Sequence, residues 1–568
     1  MLARYGLARR RVRKRSLLLH VRGHLASSSA VADRDAPAKK KYDWDAIELL
    51  QLPLPPLEDT AARYLEQLRP LLSATQFNEA QATADEYLRS EGRALQAQLA
   101  AENARNPGTS FIKAHWDAMY LCGRYPVPIN SNPFVHWHPH PDPSQRSQVT
   151  RAAALVHRML KWRQGMQQGT IEPDGAPERR LCMSEYSLLF GTTRIPVSNG
   201  RDYHLTVPDS CHIVVLLGQT FHRITVVDAA GRIASQLALE RALQALLLAG
   251  VGGDGAISNR RHSLADLTAT DRDTWGRNRE ALLAAGAGNP AALYEVESAI
   301  LHLCLDHTSP QTQAELYEVF LHGGKHREPR WYDKSISLIC TPAGEAAINF
   351  EHSPFDGSTI IRMMNDCWHD AAGLSSGKEL PAFALESAED TLHSVEILFE
   401  LPKELTVRVA AAAAGFERLK AKLDVHAFHF ETFGQREIVE SWGRDFNPDG
   451  VLHMAFQVAY FRLHGRSDIS VYSAASTKGF LRGRTEAVRC LSTESVAFVE
   501  MFCSSAAVHD HRVDDNATKR DLLRRAVAKH RTISREAAQG LGVDRHLFAL
   551  FSLATAQEPV DSCSSSSR

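Results

Sequence analysis

The stretch from residue 330 to 370 constrains the fold most, because two strand patterns, a histidine loop and a helix pattern follow one another there without a gap. The sequence predicts short apolar strands at 335–340 and 347–350, joined by a Thr-Pro-Ala-Gly turn. His352 follows the second strand, and the apolar spacing after Gly357 predicts a helix behind the loop. A histidine at a strand end is held by the backbone and remains open to a cleft.

His352 and Asp356 are the candidate catalytic residues of this loop. Asp356 is near enough in sequence to bond Nδ1 of His352, which would fix the tautomer and leave Nε2 free as a general base. The structural alternative is that His352 ends a strand and Asp356 begins a helix. His-x-x-x-Asp-Gly is too short a pattern to decide between them by itself.

Bulk properties exclude several classes of protein. A length of 568 residues allows more than one domain, and 44% hydrophobic with 23% charged residues is typical of a soluble globular protein. The net charge of −1 gives no reason to expect a nucleic-acid partner. Nine cysteines without zinc-type spacing indicate free thiols in a reducing compartment, and no apolar run is long enough to cross a bilayer. We predict no metal site.

The first 33 residues have a different composition. They are rich in arginine, contain serines, and have no acidic residue before Asp33. This composition predicts a mitochondrial transit peptide; the alternative is a basic tail that binds anionic surfaces. Residues 34–46 then form a polar linker.

Periodicity predicts helices in the opening segment and an α/β pattern over 106–400. Further predicted elements are a strand pair at 212–217 and 222–227, helices at 236–248, 407–423 and 448–465, and a strand at 425–430.

Several motifs, kept in order along the chain, resemble those of the choline/carnitine acyltransferase family. They are Trp116-Asp117 with Tyr120, Met183-Ser184-Glu185-Tyr186, Arg330-Trp331-Tyr332-Asp333-Lys334, Glu351-His352 with Ser353-Pro354-Phe355-Asp356-Gly357, and Gly483-Arg484-Thr485. The resemblance covers about 47–550. Within the family, the opening and closing helices resemble the long-chain, palmitoyl-transferring mitochondrial type most.

The resemblance implies a two-domain α/β fold, each domain a mixed sheet with flanking helices similar to chloramphenicol acetyltransferase. It implies a helical segment at 47–105 that packs on the C-terminal domain, an N-terminal catalytic domain at 106–400, and a C-terminal domain at 401–550. Residues 551–568 are predicted to be a low-complexity tail. Because the family continues further, we expect the second domain to be incomplete and to lack the family's Ser-Thr-Ser oxyanion motif.

The implied activity is the reversible transfer of a fatty acyl group between coenzyme A and the hydroxyl of carnitine, in mitochondrial fatty-acid metabolism. Acyl-coenzyme A and coenzyme A are co-substrates, and no cofactor is permanently bound. His352 is the implied base and Asp356 its orienter. The alternatives are a short-chain carnitine O-acetyltransferase and a truncated family member without catalysis.

The resemblance also assigns substrate-binding residues. Arg545 is placed to bind the carnitine carboxylate, with Tyr472 and Thr485 as hydroxyl donors, although Ala474 stands where the family has serine or threonine. For coenzyme A, the family's lysines are missing, so Arg436 or Arg444 would replace them, beside Asp449.

The segment between Gly169 and Met183 is too short for the membrane-binding insertion of the long-chain type. We expect a monomer in the mitochondrial matrix or on the matrix face of the inner membrane, and peripheral membrane association stays open.

Overall fold

The computed structural model describes residues 42–252, 262–371, 391–504 and 513–557. The predicted transit peptide, most of the linker and the end of the predicted tail lie outside these ranges. The α-helices are α1 Leu57–Leu68, α2 Ala74–Arg89, α3 Glu91–Arg105, α4 Lys113–Cys122, α5 Gln148–Gln167, α6 Gln236–Gly252, α7 Arg272–Ala284, α8 Asn289–Ser298, α9 Gln313–His322, α10 Gly357–Ala371, α11 Lys403–Lys420, α12 Gln435–Glu437, α13 Pro448–His464, α14 Thr493–Ser504, α15 Val513–Ala538 and α16 Asp544–Gln557.

The strands are β1 Phe134–His136, β2 Gly175–Ala176, β3 Arg179–Arg180, β4 Thr192–Ile195, β5 Tyr203–Thr206, β6 His212–Leu217, β7 Thr220–Thr225, β8 His302–Leu305, β9 Ser337–Cys340, β10 Ala346–Asn349, β11 Ser394–Glu396, β12 Tyr472–Ser476 and β13 Thr485–Arg489. Short 3-10 helices lie at Pro143–Gln145, Ser184–Leu188 and Leu264–Ala269, and a π-helical turn at Ile438–Trp442.

A seven-stranded mixed sheet is the centre of the first part of the chain, in the order β1-β10-β9-β8-β6-β7-β11. The neighbours β6, β8 and β9 are parallel, and the remaining pairs are antiparallel. Helices α5, α6 and α10 cover one face, and α7, α8, α9 and α11 pack on the other. Because helices cover both faces of the sheet, the side chains on both sides of β6 are buried. This explains why the strand is apolar almost throughout. The α/β expectation is confirmed.

The predicted hairpin that leads to His352 is present as β9 and β10, paired antiparallel. Its Thr-Pro-Ala-Gly turn closes with the Gly344 amide donating to the Thr341 carbonyl at 2.9 Å. Gly344 has φ +76°, and a Cβ there would meet the Arg146 carbonyl oxygen at 1.7 Å. Glycine is therefore required at this position both by conformation and by space.

The other predicted elements agree in part with the structure. The β6–β7 hairpin and helices α6, α11 and α13 are confirmed, with β7 and α11 beginning earlier than predicted. The prediction of a strand at 425–430 is wrong, because these residues form no ladder with any other described part of the chain. Phe428 and Phe430 are 85% and 54% exposed. An apolar alternating segment becomes a strand only where a neighbouring strand accepts its backbone hydrogen bonds.

Beyond residue 400, the strands in the described ranges form an antiparallel pair, β12 and β13, with α13, α14 and α15 nearby. Helices α1 and α3 pack on α16 around buried Leu57, Leu99 and Leu550. Helix α16 continues to Gln557, so the first part of the predicted tail is helical, with Leu553 buried in the same cluster. In the described ranges, no helix is both long and apolar enough to span a membrane.

Candidate active site

His352 follows β10 closely, and its side chain is 26% exposed. The imidazole stacks on the ring of Tyr120 in α4. The two ring centroids are 5.8 Å apart, and the angle between the ring planes is 20°. Phe350 packs against it with 5.6 Å between centroids. Two aromatic neighbours therefore hold the imidazole while part of it stays open to solvent, which suits a general base.

The predicted hydrogen bond between Asp356 and His352 does not form. Asp356 Oδ1 lies 4.0 Å from His352 Nδ1, which is beyond hydrogen-bonding distance. Arg484 instead binds both carboxylate oxygens, with Nε donating to Oδ2 at 2.8 Å and Nη2 to Oδ1 at 3.0 Å. The prediction of a direct hydrogen bond is therefore wrong, because a guanidinium fork matches a buried carboxylate better than one ring nitrogen does. What Asp356 does in catalysis stays a prediction.

Arg484 also holds the histidine loop by its backbone. Its Nη1 donates to the Ser353 carbonyl at 3.0 Å, and Nη2 donates to the His352 carbonyl at 3.3 Å. Burial by itself would raise the pKa of Asp356, but the Arg484 guanidinium overrides this and holds that pKa below its ordinary value. Arg484 and Asp356 therefore stay ionised in the interior. Through this ion pair, the segment just before β13 is fixed to the histidine loop.

Glu185 is a second carboxylate at the same guanidinium, 3.1 Å from Arg484 Nε. It accepts from the Asp356 amide at 3.2 Å and from Thr359 Oγ1 at 2.5 Å. Burial, and after it the charge of Asp356, raises the pKa of Glu185. The buried Lys478 donates to Thr359 Oγ1 at 3.1 Å and adds a second cation. The start of α10 is thus fixed by side chains from distant parts of the chain.

The residues on either side of His352 are anchored in a buried polar network. Ser353 Oγ donates to Glu351 Oε2 at 2.5 Å and lies 2.7 Å from His204 Nε2. Arg194 donates to Glu351 Oε1 at 3.2 Å. Burial opposes ionisation of Glu351, yet the Arg194 charge outweighs it and lowers the pKa of Glu351. This network fixes the backbone that carries His352.

The three residues predicted to bind the carnitine carboxylate lie together. Arg545 of α16 donates from Nη2 to Tyr472 Oη at 3.4 Å and to Thr485 Oγ1 at 3.3 Å. Its Nε donates to the Thr485 carbonyl at 2.8 Å. The guanidinium carbon lies 4.0 Å from the ring centroid of Trp116, a cation–π contact. Ala474 lies in the same strand as Tyr472 and supplies no hydroxyl.

Glu486 modifies the charge around Arg545. Its Oε1 accepts from the amides of Arg545 at 3.3 Å and Ala487 at 2.7 Å. Burial raises the pKa of Glu486 to about 7. Because this carboxyl is partly protonated at neutral pH, it offsets the permanent positive charge of the Arg545 guanidinium only in part.

Aromatic rings connect the histidine to the arginine. Tyr120 stacks on His352 and meets Trp116 edge to face, with 5.8 Å between the centroids of each pair. Trp116 then covers the guanidinium of Arg545. Burial raises the pKa of Tyr120, so its phenol is neutral. One face of α4 therefore joins the candidate base to the candidate carboxylate site.

The residues predicted to bind coenzyme A have other contacts. Arg436 pairs with its neighbour Glu437 at 3.0 Å, and Arg444 is exposed. Asp449 Oδ2 lies 2.8 Å from His530 Nε2. Their part in coenzyme A binding stays a prediction.

Sequence reasoning assigned no role to two residues at the centre of the site, Arg484 and Tyr120. Arg484 stands in the quoted Gly-Arg-Thr motif, but its partner Asp356 lies far away in sequence. Tyr120 stands one helical turn after Trp116 and belongs to the same motif. Their positions within family motifs were the only sequence signal for these two residues. Their contacts with Asp356 and His352 form only in the tertiary structure.

Comparison with known proteins identifies the family. Residues 52–565 match the model of the choline/carnitine O-acyltransferases. The chain belongs to this family. The family resemblance inferred from the motifs is thereby confirmed, and the protein is an acyltransferase.

Named relatives of this acyltransferase include enzymes for different acyl groups and acceptors. It is 32% identical to the mitochondrial carnitine O-palmitoyltransferase 2 of Xenopus tropicalis, over 90% of this chain and 79% of that protein. It is 30% identical to a putative mitochondrial carnitine O-acetyltransferase of Saccharomyces cerevisiae, over 89% and 80%. It is 27% identical to the choline O-acetyltransferase of Rattus norvegicus, over 91% and 81%.

Proposed function

We propose that this acyltransferase transfers a fatty acyl group reversibly between coenzyme A and the hydroxyl of carnitine. The observation that carries the proposal is the cluster of Arg545, Tyr472 and Thr485, joined to His352 through two aromatic rings. Acyl-coenzyme A and coenzyme A are the co-substrates, and no permanently bound cofactor takes part.

The acceptor is carnitine rather than choline. Both molecules carry a quaternary ammonium, but carnitine also has a carboxylate, which needs a cation and hydroxyl donors. Arg545 supplies the cation, with Tyr472 and Thr485 beside it. A choline site would not need this arginine, because choline has no carboxylate.

In the proposed reaction, His352 acts as general base. Nε2 takes the proton of the carnitine hydroxyl as its oxygen attacks the thioester carbonyl, and the carbon–sulfur bond breaks as the new ester forms. The imidazolium returns the proton to the departing thiolate of coenzyme A, so no acyl-enzyme is needed. Asp356 is a positioning residue that acts through Arg484 and the loop backbone.

The names of the similar proteins favour long-chain acyl groups as the first candidate substrates. The palmitoyltransferase of Xenopus tropicalis is similar over most of its length. The yeast relative, at 30% identity, supports acetyl transfer as the second candidate. Arg436, Arg444 and Asp449 are the proposed coenzyme A residues; Arg436 and Arg444 are exposed cations, as a phosphate site requires.

For the architecture, we propose two α/β units, similar to chloramphenicol acetyltransferase, at 106–400 and 401–550, with 47–105 belonging to the second. The pair Arg484–Asp356 would then join the two units at the reaction site. The mitochondrial names of two relatives and the acid-free, arginine-rich first residues support a location in the matrix or at the matrix face of the inner membrane. We also propose that the protein is a monomer.

The test is coenzyme A release by the purified full chain with palmitoyl-, octanoyl- and acetyl-coenzyme A, each with carnitine or choline. We expect turnover with palmitoyl-coenzyme A and carnitine, and a fall of about 10²- to 10⁴-fold in His352→Ala. His426→Ala is the matched control, because that histidine is 83% exposed and pairs only with the exposed Asp424 in the described contacts.

Three outcomes would contradict the proposal. Turnover that survives in His352→Ala would remove the histidine from the reaction. Equal rates of coenzyme A release with choline and with carnitine would show that Arg545 does not determine acceptor specificity. No turnover from a folded chain with any of the three thioesters would exclude the activity for this protein.

A further inference from the structure

A cluster of two histidines and an aspartate lies between α13 and α15, apart from the histidine loop. Asp449 and His453 are four residues apart on α13, so they share one face of the helix. His530 reaches the same place from α15. One ligand-type atom from each of the three side chains lies within 4.8 Å of those of the other two.

Both oxygens of the carboxylate face imidazole nitrogens. Asp449 Oδ2 lies 2.8 Å from His530 Nε2, and Oδ1 lies 3.8 Å from His453 Nε2. The two imidazole rings are 4.8 Å apart between centroids. Ligand atoms around a tetrahedral zinc ion are separated by about 3.3 Å, given metal–ligand bonds of about 2.0 Å. Small side-chain adjustments would therefore bring these three atoms to one ion.

The histidines are buried, and their hydrogen bonding is incomplete. The side chain of His530 is 2% exposed and that of His453 is 11% exposed. In the described part of the chain, Nδ1 of each ring has no hydrogen-bond partner. In each ring Nε2 is the atom that faces the Asp449 carboxylate, so Nε2 would bind the ion and Nδ1 would carry the proton.

We propose that Asp449, His453 and His530 form a binding site for a first-row transition metal ion such as Zn²⁺. Two imidazoles with one carboxylate favour zinc over magnesium or calcium, which prefer all-oxygen sites. The thiol of Cys490 lies 3.8 Å from His453 Nε2, which adds a soft atom next to the site.

The site would brace the C-terminal part of the chain. It joins α13 to α15, and Cys490 directly follows β13. Asp449 is also among the residues proposed for coenzyme A, but the metal site rests on its contacts with the histidines and not on the proposed function. The two roles can therefore be tested separately.

The test is zinc binding by the metal-free full chain without an affinity tag, measured by competition with a chromophoric zinc indicator. We expect one high-affinity Zn²⁺ per chain and a higher melting temperature with zinc, since binding to the folded state stabilises it. Mg²⁺ in the same titration should produce neither effect. Titration with Co²⁺ should give the strong visible absorption of a four-coordinate ion.

Two variants cover the risk that a buried substitution unfolds the chain. His530→Gln removes a buried ligand, whereas Asp449→Asn changes a side chain that is 62% exposed. Loss of a second-sphere partner already costs about 10- to 100-fold in metal affinity, so each ligand variant should lose at least about 100-fold. His426→Ala is the matched control, because it removes an exposed histidine that also lies 2.9 Å from an aspartate.

The proposal is overturned if the folded wild-type chain binds no zinc more tightly than the indicator does. It is also overturned if Asp449→Asn and His530→Gln bind zinc with the stoichiometry and affinity of the wild type. Neither result depends on acyl transfer.

Discussion

Arg484 and Asp356 form a buried, two-point ion pair, with donor–acceptor distances of 2.8 and 3.0 Å. The same guanidinium donates to the carbonyls of His352 and Ser353. The arginine therefore positions the candidate base through the backbone of its loop, and the carboxylate orients the arginine.

Replacing Arg484 with glutamine should destabilise the protein strongly. Asp356 and Glu185 would then lie buried without their cation, and breaking a buried ion pair costs about 3–5 kcal/mol. Urea denaturation followed by circular dichroism measures this loss. Arg436→Gln is the control, because Arg436 is an exposed arginine that pairs with its sequence neighbour. Equal midpoints for the two variants would contradict the role given to Arg484.

Asp356→Asn should lower the catalytic rate through Arg484 rather than through His352. In a double-mutant cycle with Arg484→Gln, the effects on the free energy of unfolding should be non-additive by about 0.5–3 kcal/mol, as is typical of residues in direct contact. Additive effects would show that the two residues act independently. A shifted pH profile in Asp356→Asn alone would favour the direct histidine contact instead.

Arg545→Gln should raise the KM for carnitine by roughly 10- to 100-fold and leave the KM for acyl-coenzyme A nearly unchanged. The reason is that a hydrogen bond to a charged group is worth about 1.5–3 kcal/mol. Steady-state kinetics with each substrate varied in turn measure this, and Arg525→Gln, at a 61% exposed arginine, is the control. A parallel rise in both constants would indicate general damage to the fold.

Tyr120→Leu should lower kcat by up to about tenfold, because aromatic pairs contribute about 0.5–1.5 kcal/mol and this ring holds His352 in place. Tyr120→Phe keeps the ring and should stay within about twofold of wild type. If both variants lose the same activity, the hydroxyl and not the stacked ring is the important group.

Glu486 should make stability depend on pH. Burial raises its pKa from 4.5 to about 7, so the folded chain binds this proton more tightly than the unfolded chain does. The stability from this group is complete below about pH 4.5 and is lost as the pH rises through about 7. Above that range, the ionised group costs about 3 kcal/mol, since a tenfold change in proton affinity is worth about 1.4 kcal/mol.

Glu486→Gln should therefore raise the free energy of unfolding at pH 8, by up to about 3 kcal/mol, and change it little near pH 5. Urea denaturation at both pH values measures the difference from wild type. Glu431→Gln, at an exposed glutamate, should show no such change. A gain of the same size at both pH values would mean that proton binding by Glu486 is not its cause.

The sequence by itself determined the local elements around the candidate base. Short apolar runs and a Thr-Pro-Ala-Gly turn specify β9 and β10, and the spacing after Gly357 specifies α10, because these patterns depend only on neighbouring residues. The motifs also identified the family and selected Arg545, Tyr472 and Thr485, which the structure brings together.

The tertiary structure decided which groups pair across long distances. The partner of Asp356 is Arg484 rather than the nearby His352, and Tyr120 stacks on His352 from a helix far away in sequence. Residues 425–430 have a strand-like pattern but pair with no strand in the described ranges. Local patterns fix the period of a segment, whereas buried charges and rings pair according to which surfaces meet when the chain folds.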